Sequence, residues 1–339
     1  MDINSWTVFK QNWQKAIRNK SIYITIVLFV LVAVVAIIIV NFVSNGEQHA
    51  LPLDPSNWRQ VVQDAILKNP NDIKNVAIWK WCLQNDVMPY SLYANFAPSS
   101  IDKMLSVLMY PILMYFVLVI ILFVSGIATI ERRSIDISGT IDDGIYNNIY
   151  IQSNTESTKL DLKAKFFGDM YFFVSFAFIS LVCFYTIGLA LATFFFSSSD
   201  VPYIVYNNGS VLALSFRVAF GLALLCIFCV LLFLRSCIVV LEMFLKNKYT
   251  AYLWTVLILL FSGLVFVGLF DNQQWMSYLP FYHFGMTMGL IFDIHSDFND
   301  VPILFGIIVL VVWTVLFYSI ALVCIRLKSH NSDQRYVTV

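Results

Sequence analysis

Long apolar runs, separated by polar segments of unequal length, dominate the chain. A helix needs about 20 apolar residues to cross a bilayer core of about 30 Å, and six runs are long enough to do so. These runs are Ile22–Val43, Leu105–Ile130, Phe166–Phe196, Val211–Leu234, Thr250–Phe270 and Val301–Ile325. None shows the period-two polarity of membrane barrel strands. The pattern therefore predicts an all-α integral membrane protein with six transmembrane helices.

The composition agrees with this class. Hydrophobic residues make up 59% of the chain and charged residues 12%, about half the charged share of a soluble domain. The 21 Lys and Arg balance the 21 Asp and Glu, so nothing favours a nucleic-acid partner. Cys226 and Cys229 lie inside an apolar run without a nearby histidine. We expect them to be small buried hydrophobes rather than a metal site.

The distribution of basic residues predicts the orientation. The segments on the side of the N-terminus carry roughly three times as many Lys and Arg residues as those on the opposite side. We therefore expect a multi-pass protein of a bacterial cell membrane with both termini in the cytoplasm. The loop 131–165 and the tail 326–339 would also be cytoplasmic, and the segments 44–104 and 271–300 extracellular.

The N-terminal segment 1–21 is amphipathic. Trp6, Phe9, Trp13 and Ile17 share one helical face, and basic residues occupy much of the remainder. Tryptophans with basic neighbours are typical of a helix lying in the inner headgroup region. We expect an elbow helix that leads directly into the first span. A generic interfacial anchor is the alternative.

The segment 44–104 predicts a small helical cap. Asp54-Pro55 is typical of a helix start, and Asn69-Pro70 of a helix end. Residues 71–84 would then form a second helix. The aromatic residues of the cap could line a substrate exit or hold the cap on the membrane.

Two other polar segments contain more apolar residues than a solvent-exposed loop requires. The inner loop 131–165 contains several Ile and Tyr residues, which favours docking to a cytoplasmic partner; packing back on the helix ends is the alternative. In the outer loop 271–300, an apolar stretch of about 12 residues is too short to span and indicates a re-entrant segment. Its distinctive residues are Pro280, Phe281, Gly285 and Gly289, and the two glycines would permit close helix packing.

The sequence lacks the motifs that carry common chemistry. There is no G-x-x-x-x-G-K-[ST] phosphate loop, no H-E-x-x-H and no G-x-S-x-G. No carboxylate lies at mid-span, which argues against a proton or ion relay. We expect neither a catalytic residue, nor a metal, nor a cofactor in this chain, and no enzyme activity of its own.

The layout resembles the membrane (permease) subunits of type-2 ABC exporters. The resemblance rests on the elbow, the six spans with both ends inside, and the loop between the second and third spans. In that loop Asp136 shortly precedes Gly139-Thr140, and Lys165 enters the third span. The family also has re-entrant half-helices between the fifth and sixth spans. The Pro and Arg common midway in the family's inner loop are absent here.

The resemblance implies partners and a function. A second permease copy, or a similar permease, would complete the membrane part, and two separate ATPase subunits would bind ATP and Mg. The loop residues expected to couple to them are Asp136, Gly139, Thr140, Asp142, Asp143 and Tyr146. The chain would then export a hydrophobic or amphipathic substrate, such as a peptide, toxin, drug or lipid, in antimicrobial-peptide export or immunity. The alternative is a membrane sensor or assembly protein whose extracellular cap binds a ligand.

Overall fold

The computed structural model describes residues 4–46, 55–89, 100–129, 162–197, 201–207, 210–245, 250–257, 278–280 and 303–335. Helices account for most of them, with one two-stranded hairpin. The helices are α1 (Ser5–Arg18), α2 (Ser21–Gly46), α3 (Trp58–Lys68), α4 (Ile73–Asn85), α5 (Ile101–Leu108), α6 (Pro111–Thr129), α7 (Leu162–Phe195), α8 (Phe216–Phe244), α9 (250–257) and α10 (Ile303–Arg335). The strands are β1 (Tyr203–Asn207) and β2 (Ser210–Leu214).

Four of these helices are long and apolar enough to cross a membrane. They cover Ser21–Phe42, Lys163–Phe195, Phe216–Phe244 and Leu304–Leu327. Apolar helices of this length hydrogen-bond their own backbone and have no need of water along their sides. The described part of the chain therefore forms a mostly helical membrane protein.

The second predicted span is broken rather than continuous. Helices α5 and α6 meet at an angle of 58°, and residues 109–110 separate them. Pro111 begins α6, where its missing N–H costs nothing, and its ring disfavours helical backbone at the residue before it. The expectation of one helix over residues 105–130 was therefore wrong. The pair counts as a fifth span only if both halves are taken together.

The fourth predicted span begins too early. Residues Val211–Leu214 belong to strand β2, which pairs antiparallel with β1 in the register Tyr203↔Leu214 to Asn207↔Ser210. Helix α8 starts only after Ser215, whose side chain accepts the backbone N–H of Val218 at 3.3 Å, and it continues to Phe244 rather than Leu234. The prediction began too early because the apolar residues of β2 and of α8 form one nearly continuous run in the sequence. The described fold is thus not purely α-helical.

Only part of the fifth predicted span, Thr250–Phe270, lies within the described residues. Residues 250–257 are helical, as expected, and residues 258–270 lie outside the described part. Most of the inner loop 131–165 and of the outer loop 271–300 also lies outside it. From the outer loop, only residues 278–280 are described, and residues 279–280 begin the predicted re-entrant segment.

The long helices form a bundle with two chemically different ends. Phenylalanines fill much of its interior; Phe29, Phe172, Phe176, Phe184, Phe220 and Phe233 are among the largest fully or nearly fully buried side chains. At one end lie α1, the start of α7, the end of α8 and α9; we call this the elbow end. At the other, the cap end, lie α3, α4 and the hairpin. Ser100 pairs with Ser197 near the cap end, where the backbone N–H of Ile101 donates to the Ser197 carbonyl at 3.1 Å.

The cap has its own small core. Trp58 and Val62 of α3 pack with Ile78 and Cys82 of α4. Ile204 and Tyr206 of β1 pack against this core, so the hairpin completes the cap. Helix α3 starts at Trp58, after a 3₁₀ turn at Pro55–Asn57, and so slightly later than Asp54-Pro55 suggests.

The elbow helix α1 packs against α7 through a face of small and polar residues. Val8, Asn12 and Ala16, spaced every four residues, are buried. The two helices approach so closely that a Cβ on Gly168 would lie 2.5 Å from Val8 Cβ and 2.8 Å from the carbonyl oxygen of Ser5. A glycine at this position is therefore a requirement of the contact. Lys20, with φ of 57°, makes the left-handed turn between α1 and α2.

We expect Gly168→Ala to destabilise the protein by about 1–3 kcal/mol, the usual range for overpacking. Because one of the clashing atoms is a backbone oxygen, no side-chain rearrangement can relieve the contact. The measurement is the unfolding midpoint of the full chain in detergent. Gly221→Ala is the matched control, since its Cβ would meet nothing nearer than 3.7 Å. Equal midpoints for the two variants would contradict this account of the contact.

Candidate functional site

An arginine lies buried inside the bundle at the elbow end. Arg235 of α8 is 3% exposed, among apolar side chains from neighbouring helices. A charged side chain in a membrane span is costly, and it usually faces the bundle interior and marks a functional site. The surroundings of Arg235 therefore form the first candidate site in the described residues.

Arg235 has partners on its own helix and on α9. Its Nη1 donates a hydrogen bond to the Tyr252 hydroxyl oxygen at 2.8 Å. The same Nη1 lies 3.6 Å from Glu242 Oε1, so these two residues share one face of the helix. The guanidinium also lies 5.7 Å from the ring centroid of Phe173 and 5.9 Å from that of Tyr252. Rings at this distance attract a cation, and more strongly where water is excluded.

Two further polar groups lie within electrostatic reach of the guanidinium, on two other helices. They are Asp169 near the start of α7 and Tyr318 of α10. We call the set Asp169, Arg235, Glu242, Tyr252 and Tyr318 the Arg235 hub. The hub draws on α7, α8, α9 and α10, so polar groups from four helices lie near one cation at the same end of the bundle.

Several hub atoms are buried without a hydrogen bond. Among the described residues, Arg235 Nε, Glu242 Oε1 and Tyr318 Oη have none. Buried polar groups in proteins are nearly always paired, and an unpaired one costs about 1–3 kcal/mol. The hub therefore has spare bonding capacity for water, another side chain or a second arrangement of its own members.

The hub also reaches the elbow and α6. The side-chain amide of Asn12 in α1 donates to Asp169 Oδ1 at 2.7 Å. On the α6 side, a Cβ on Gly126 would lie 2.8 Å from Cε1 of Tyr252, so the Tyr252 ring is seated against this glycine. Six helices thus contact one another through or beside the hub. They include both helices that flank the predicted inner loop 131–165.

The predicted elbow residues divide into two groups. Trp6 and Ile17 are each 56% exposed, as suits side chains that face lipid. Phe9 and Trp13 are half-buried against the bundle core. The Trp13 indole N–H donates to Ser175 Oγ at 3.1 Å, and its ring meets that of Phe172 edge-on, with centroids 5.5 Å apart. The elbow is therefore docked on α7 along one flank and open to its surroundings along the other.

Most of the other predicted site residues lie outside the described part of the chain. These are Asp136, Gly139, Thr140, Asp142, Asp143, Tyr146, Phe281, Gly285 and Gly289. Pro280 is described and buried. Its neighbour Tyr278 is held against α10, because its carbonyl oxygen accepts the Trp313 indole N–H at 2.9 Å and its ring packs edge-on against Phe305.

Sequence reasoning missed the buried face of the elbow and the two hub tyrosines. Asn12 belongs to neither the aromatic nor the basic face, and an asparagine in an amphipathic helix does not by itself indicate burial. Tyr252 and Tyr318 lie within apolar runs, where a tyrosine reads as an ordinary aromatic. Among the described residues, no group of three or more His, Cys, Asp or Glu is placed to hold a metal ion.

The cap offers a second, different environment. Its core buries the thiol of Cys82 completely, and this desolvation raises the pKa of Cys82 to about 11. Arg59 stacks over the Trp58 ring at 5.3 Å and forms an ion pair with Asp86. Both partners of that pair are exposed, so it contributes little to stability. The described cap is closed by packing rather than by charge.

No known family model, no curated protein and no solved structure matches this chain. The resemblance to exporter permeases therefore rests on the layout of the spans and the residues quoted from the sequence. The sequence and the fold together define a helical membrane protein with a broken span, a capped end and a buried ionic hub.

We expect a double-mutant cycle on the hub to show strong coupling. Arg235→Leu alone leaves Glu242 near the bundle interior without its counter-charge and should destabilise the protein by about 3 kcal/mol or more. Arg235→Leu with Glu242→Leu should cost less than the sum of the two single changes, because neither member of the pair is then left charged beside an apolar replacement of its partner. Unfolding in mixed detergent micelles measures all four proteins. Additive costs would show that the two residues do not interact.

We expect Cys82 to be unreactive in the native protein. A pKa of about 11 instead of 9 leaves about a hundredfold less thiolate at pH 8, and the thiolate is the reactive species. Alkylation followed by mass spectrometry resolves Cys82 from the other cysteines, and the denatured chain is the control. The unfolded chain ionises first, so stability from this thiol is present below pH 9 and is lost as the pH rises towards 11. Equal native and denatured rates would contradict the burial.

Proposed function

We propose that this chain is the permease subunit of an ATP-driven ABC exporter for a hydrophobic or amphipathic substrate. Two separate ATPase subunits would bind ATP and Mg at its cytoplasmic face, and a second permease copy would complete the path. The observation that carries the proposal is the Arg235 hub. A transport subunit without its own nucleotide site needs a device that relays a partner's movement into the bundle, and the hub has the geometry for one.

The position of the hub supports a coupling role. It lies at the end of the bundle that the distribution of Lys and Arg predicts to be cytoplasmic. The loop 131–165 connects α6 to α7, and both helices carry a residue in or beside the hub, namely Gly126 and Asp169. A partner that moves this loop would therefore act on the ends of the two helices that seat Tyr252 and Asp169.

The bonding of the hub supports a switch between two arrangements. Arg235 donates to Tyr252 and lies near Glu242, while Tyr318 Oη and Arg235 Nε have no hydrogen-bond partner within the described part of the chain. A modest displacement of α9 would free Nη1 and permit new bonds to Tyr318 or Asp169. Conformational changes in packed bundles proceed by such exchange between discrete arrangements, because close-packed interiors do not deform continuously.

The substrate class follows from the resemblance alone, since function is carried by sites rather than by folds. The described spans are compatible with it. Their exposed faces are apolar, and α2 and α10 bury only 28% and 22% of their most apolar windows. These faces are available to lipid, to a second permease copy or to an apolar substrate.

A membrane sensor whose cap binds a ligand is the second candidate. One observation favours it: α3, α4 and the hairpin share a core separate from that of the bundle. A unit with its own core could bind a ligand and report through the hairpin, since β2 leads through Ser215 directly into α8, which carries Arg235. This route connects the cap to the hub along a single helix.

We expect ATPase subunits to co-purify with the tagged chain extracted in mild detergent from its own host. Tyr252→Phe should leave them bound but lower substrate-stimulated ATP hydrolysis at least about threefold, because it removes a hydrogen bond to a charged group. Charge reversal at Asp142 and Asp143 should instead release the ATPase or uncouple it from export. The readouts are the subunits recovered and the rate of ATP hydrolysis.

Tyr185→Phe is the matched control for Tyr252→Phe. Tyr185 also donates its hydroxyl, to the Arg217 carbonyl at 3.4 Å, but it lies towards the cap end. Equal ATPase rates for the two variants would remove the hub from the coupling path. Absence of any ATPase under several detergents would overturn the permease proposal and leave the sensor.

A further inference from the structure

A narrow groove opens where the elbow turns into the first span. Trp13 of α1 closes its elbow end, Ile22 and Ile26 of α2 form one wall, and Ile179 and Cys183 of α7 form the other. The remaining lining residues are Thr25, Phe176 and Ser180, all of them buried. The proposed transport function makes no use of this groove.

Local structure explains why the groove exists and why its surface is apolar. The left-handed turn at Lys20 swings α1 away from the axis of α2. Thr25 and Ser180 are small residues that leave a gap where two larger side chains would touch. The Thr25 hydroxyl donates to the Ser21 carbonyl at 2.9 Å, so it needs no partner from the groove. What remains exposed to an occupant is mainly hydrocarbon.

The groove is a shallow furrow with an enclosed space of about 20 Å³, so an occupant would lie along it rather than inside it. The lining from Phe176 to Cys183 covers about 10 Å along α7 at 1.5 Å per residue. Helices α1, α2 and α7 pack on one another around the groove. A helix of about 10 Å diameter is too wide to enter between them, whereas an acyl chain is slender enough.

The charge beside the groove selects the kind of lipid. The described stretch 4–46 contains Lys10, Lys15, Arg18 and Lys20 and no Asp or Glu. Arg18 and Lys20 are exposed and lie between the lining residues Trp13 and Ile22 along the chain. Asp169, the carboxylate that faces α1, is already bonded by Asn12. The chain around the turn at Lys20 therefore carries net positive charge, even with the carboxylate of Asp169 counted.

We propose that this groove binds one acyl chain of an anionic phospholipid, with its headgroup at Arg18 and Lys20. The chain lies between α2 and α7 against Phe176, and Trp13 marks the depth at which hydrocarbon gives way to headgroup. The bound lipid supports the elbow in its bent arrangement on α7, because it lies along the furrow beside the turn at Lys20.

The test is lipid binding to the purified full chain in detergent, followed by native mass spectrometry. The probes are dioleoyl phosphatidylglycerol and dioleoyl phosphatidylcholine, which differ only in their headgroups. We expect the first retained lipid to be phosphatidylglycerol, bound at least about tenfold more tightly than phosphatidylcholine, since each nearby Lys or Arg contributes about fivefold at an anionic surface. Arg18→Gln with Lys20→Gln should abolish the preference.

Variants that fill the groove test separately whether the acyl chain binds there. Ile179→Trp should weaken binding of both lipids at least about fivefold, and Ile308→Trp on α10 is the control because it changes a similarly exposed isoleucine away from the groove. For the charges, Lys68→Gln with Lys80→Gln on the cap is the control. Cys183→Phe replaces Ile179→Trp if the latter does not elute as a folded protein.

Two results would overturn the proposal. One is equal affinity for the two lipids in the unaltered chain. The other is equal lipid retention by the groove-filling variant and its control. Neither result bears on whether an ATPase co-purifies, so this proposal and the transport function fail independently.

Discussion

A guanidinium buried in the bundle places the strongest constraint on this structure. Removing such a group from water costs several kcal/mol, and the cost is offset only where the surrounding helices supply opposite charge, hydroxyl groups and ring faces. Arg235 obtains these from Glu242, Tyr252 and Phe173. Each partner constrains one helix. Glu242 fixes the rotation of α8 about its axis, Tyr252 fixes the distance of α9 from α8, and Phe173 fixes the face of α7 that packs against α8. Apolar contacts alone would allow the helices many rotations and many positions along their axes. The buried cation allows few, because its partners must stay within bonding distance.

The same constraint explains why the elbow is an integral part of the fold. Asp169 lies within the field of Arg235 and also accepts the amide of Asn12, so α1 is joined to the hub through a hydrogen bond as well as through packing. Gly168 permits the close approach that this bond requires. An interfacial helix held only by lipid would be free to slide. This one is positioned at one flank by α7, while Trp6 and Ile17 remain open on the other.

Different interactions stabilise the two ends of the bundle. The elbow end is held by buried charge and hydrogen bonds, which can exchange partners. The cap end is held by aromatic and aliphatic packing around Cys82, completed by the hairpin. Helix α8 connects them, because it begins directly after the hairpin and carries Arg235 near its other end. The two ends are therefore joined by one continuous helix.

The sequence by itself determined that this is a membrane protein and where its long helices lie. The runs around α2, α7 and α10 are apolar for more than 20 residues without the alternating polarity of barrel strands, and a helix satisfies the backbone of such a run in lipid. The basic face of α1 and the ends of α3 and α4 also follow local rules of periodicity and helix termination. These features depend on neighbours in the chain, so they can be read from it.

The tertiary structure alone decided the hairpin, the broken span and the hub. Residues 211–214 are as apolar as a helix start, and only pairing with β1 and packing of that strand on the cap make them a strand, although the Asn208-Gly209 dipeptide is a known hairpin signal. In the sequence, Pro111 indicates a position at which a helix can break, but it does not indicate that the helix breaks there. The partners of Arg235 come from positions such as 169, 252 and 318, which are far apart in the chain. No periodicity relates these positions, because what brings them together is the cost of burying one charge.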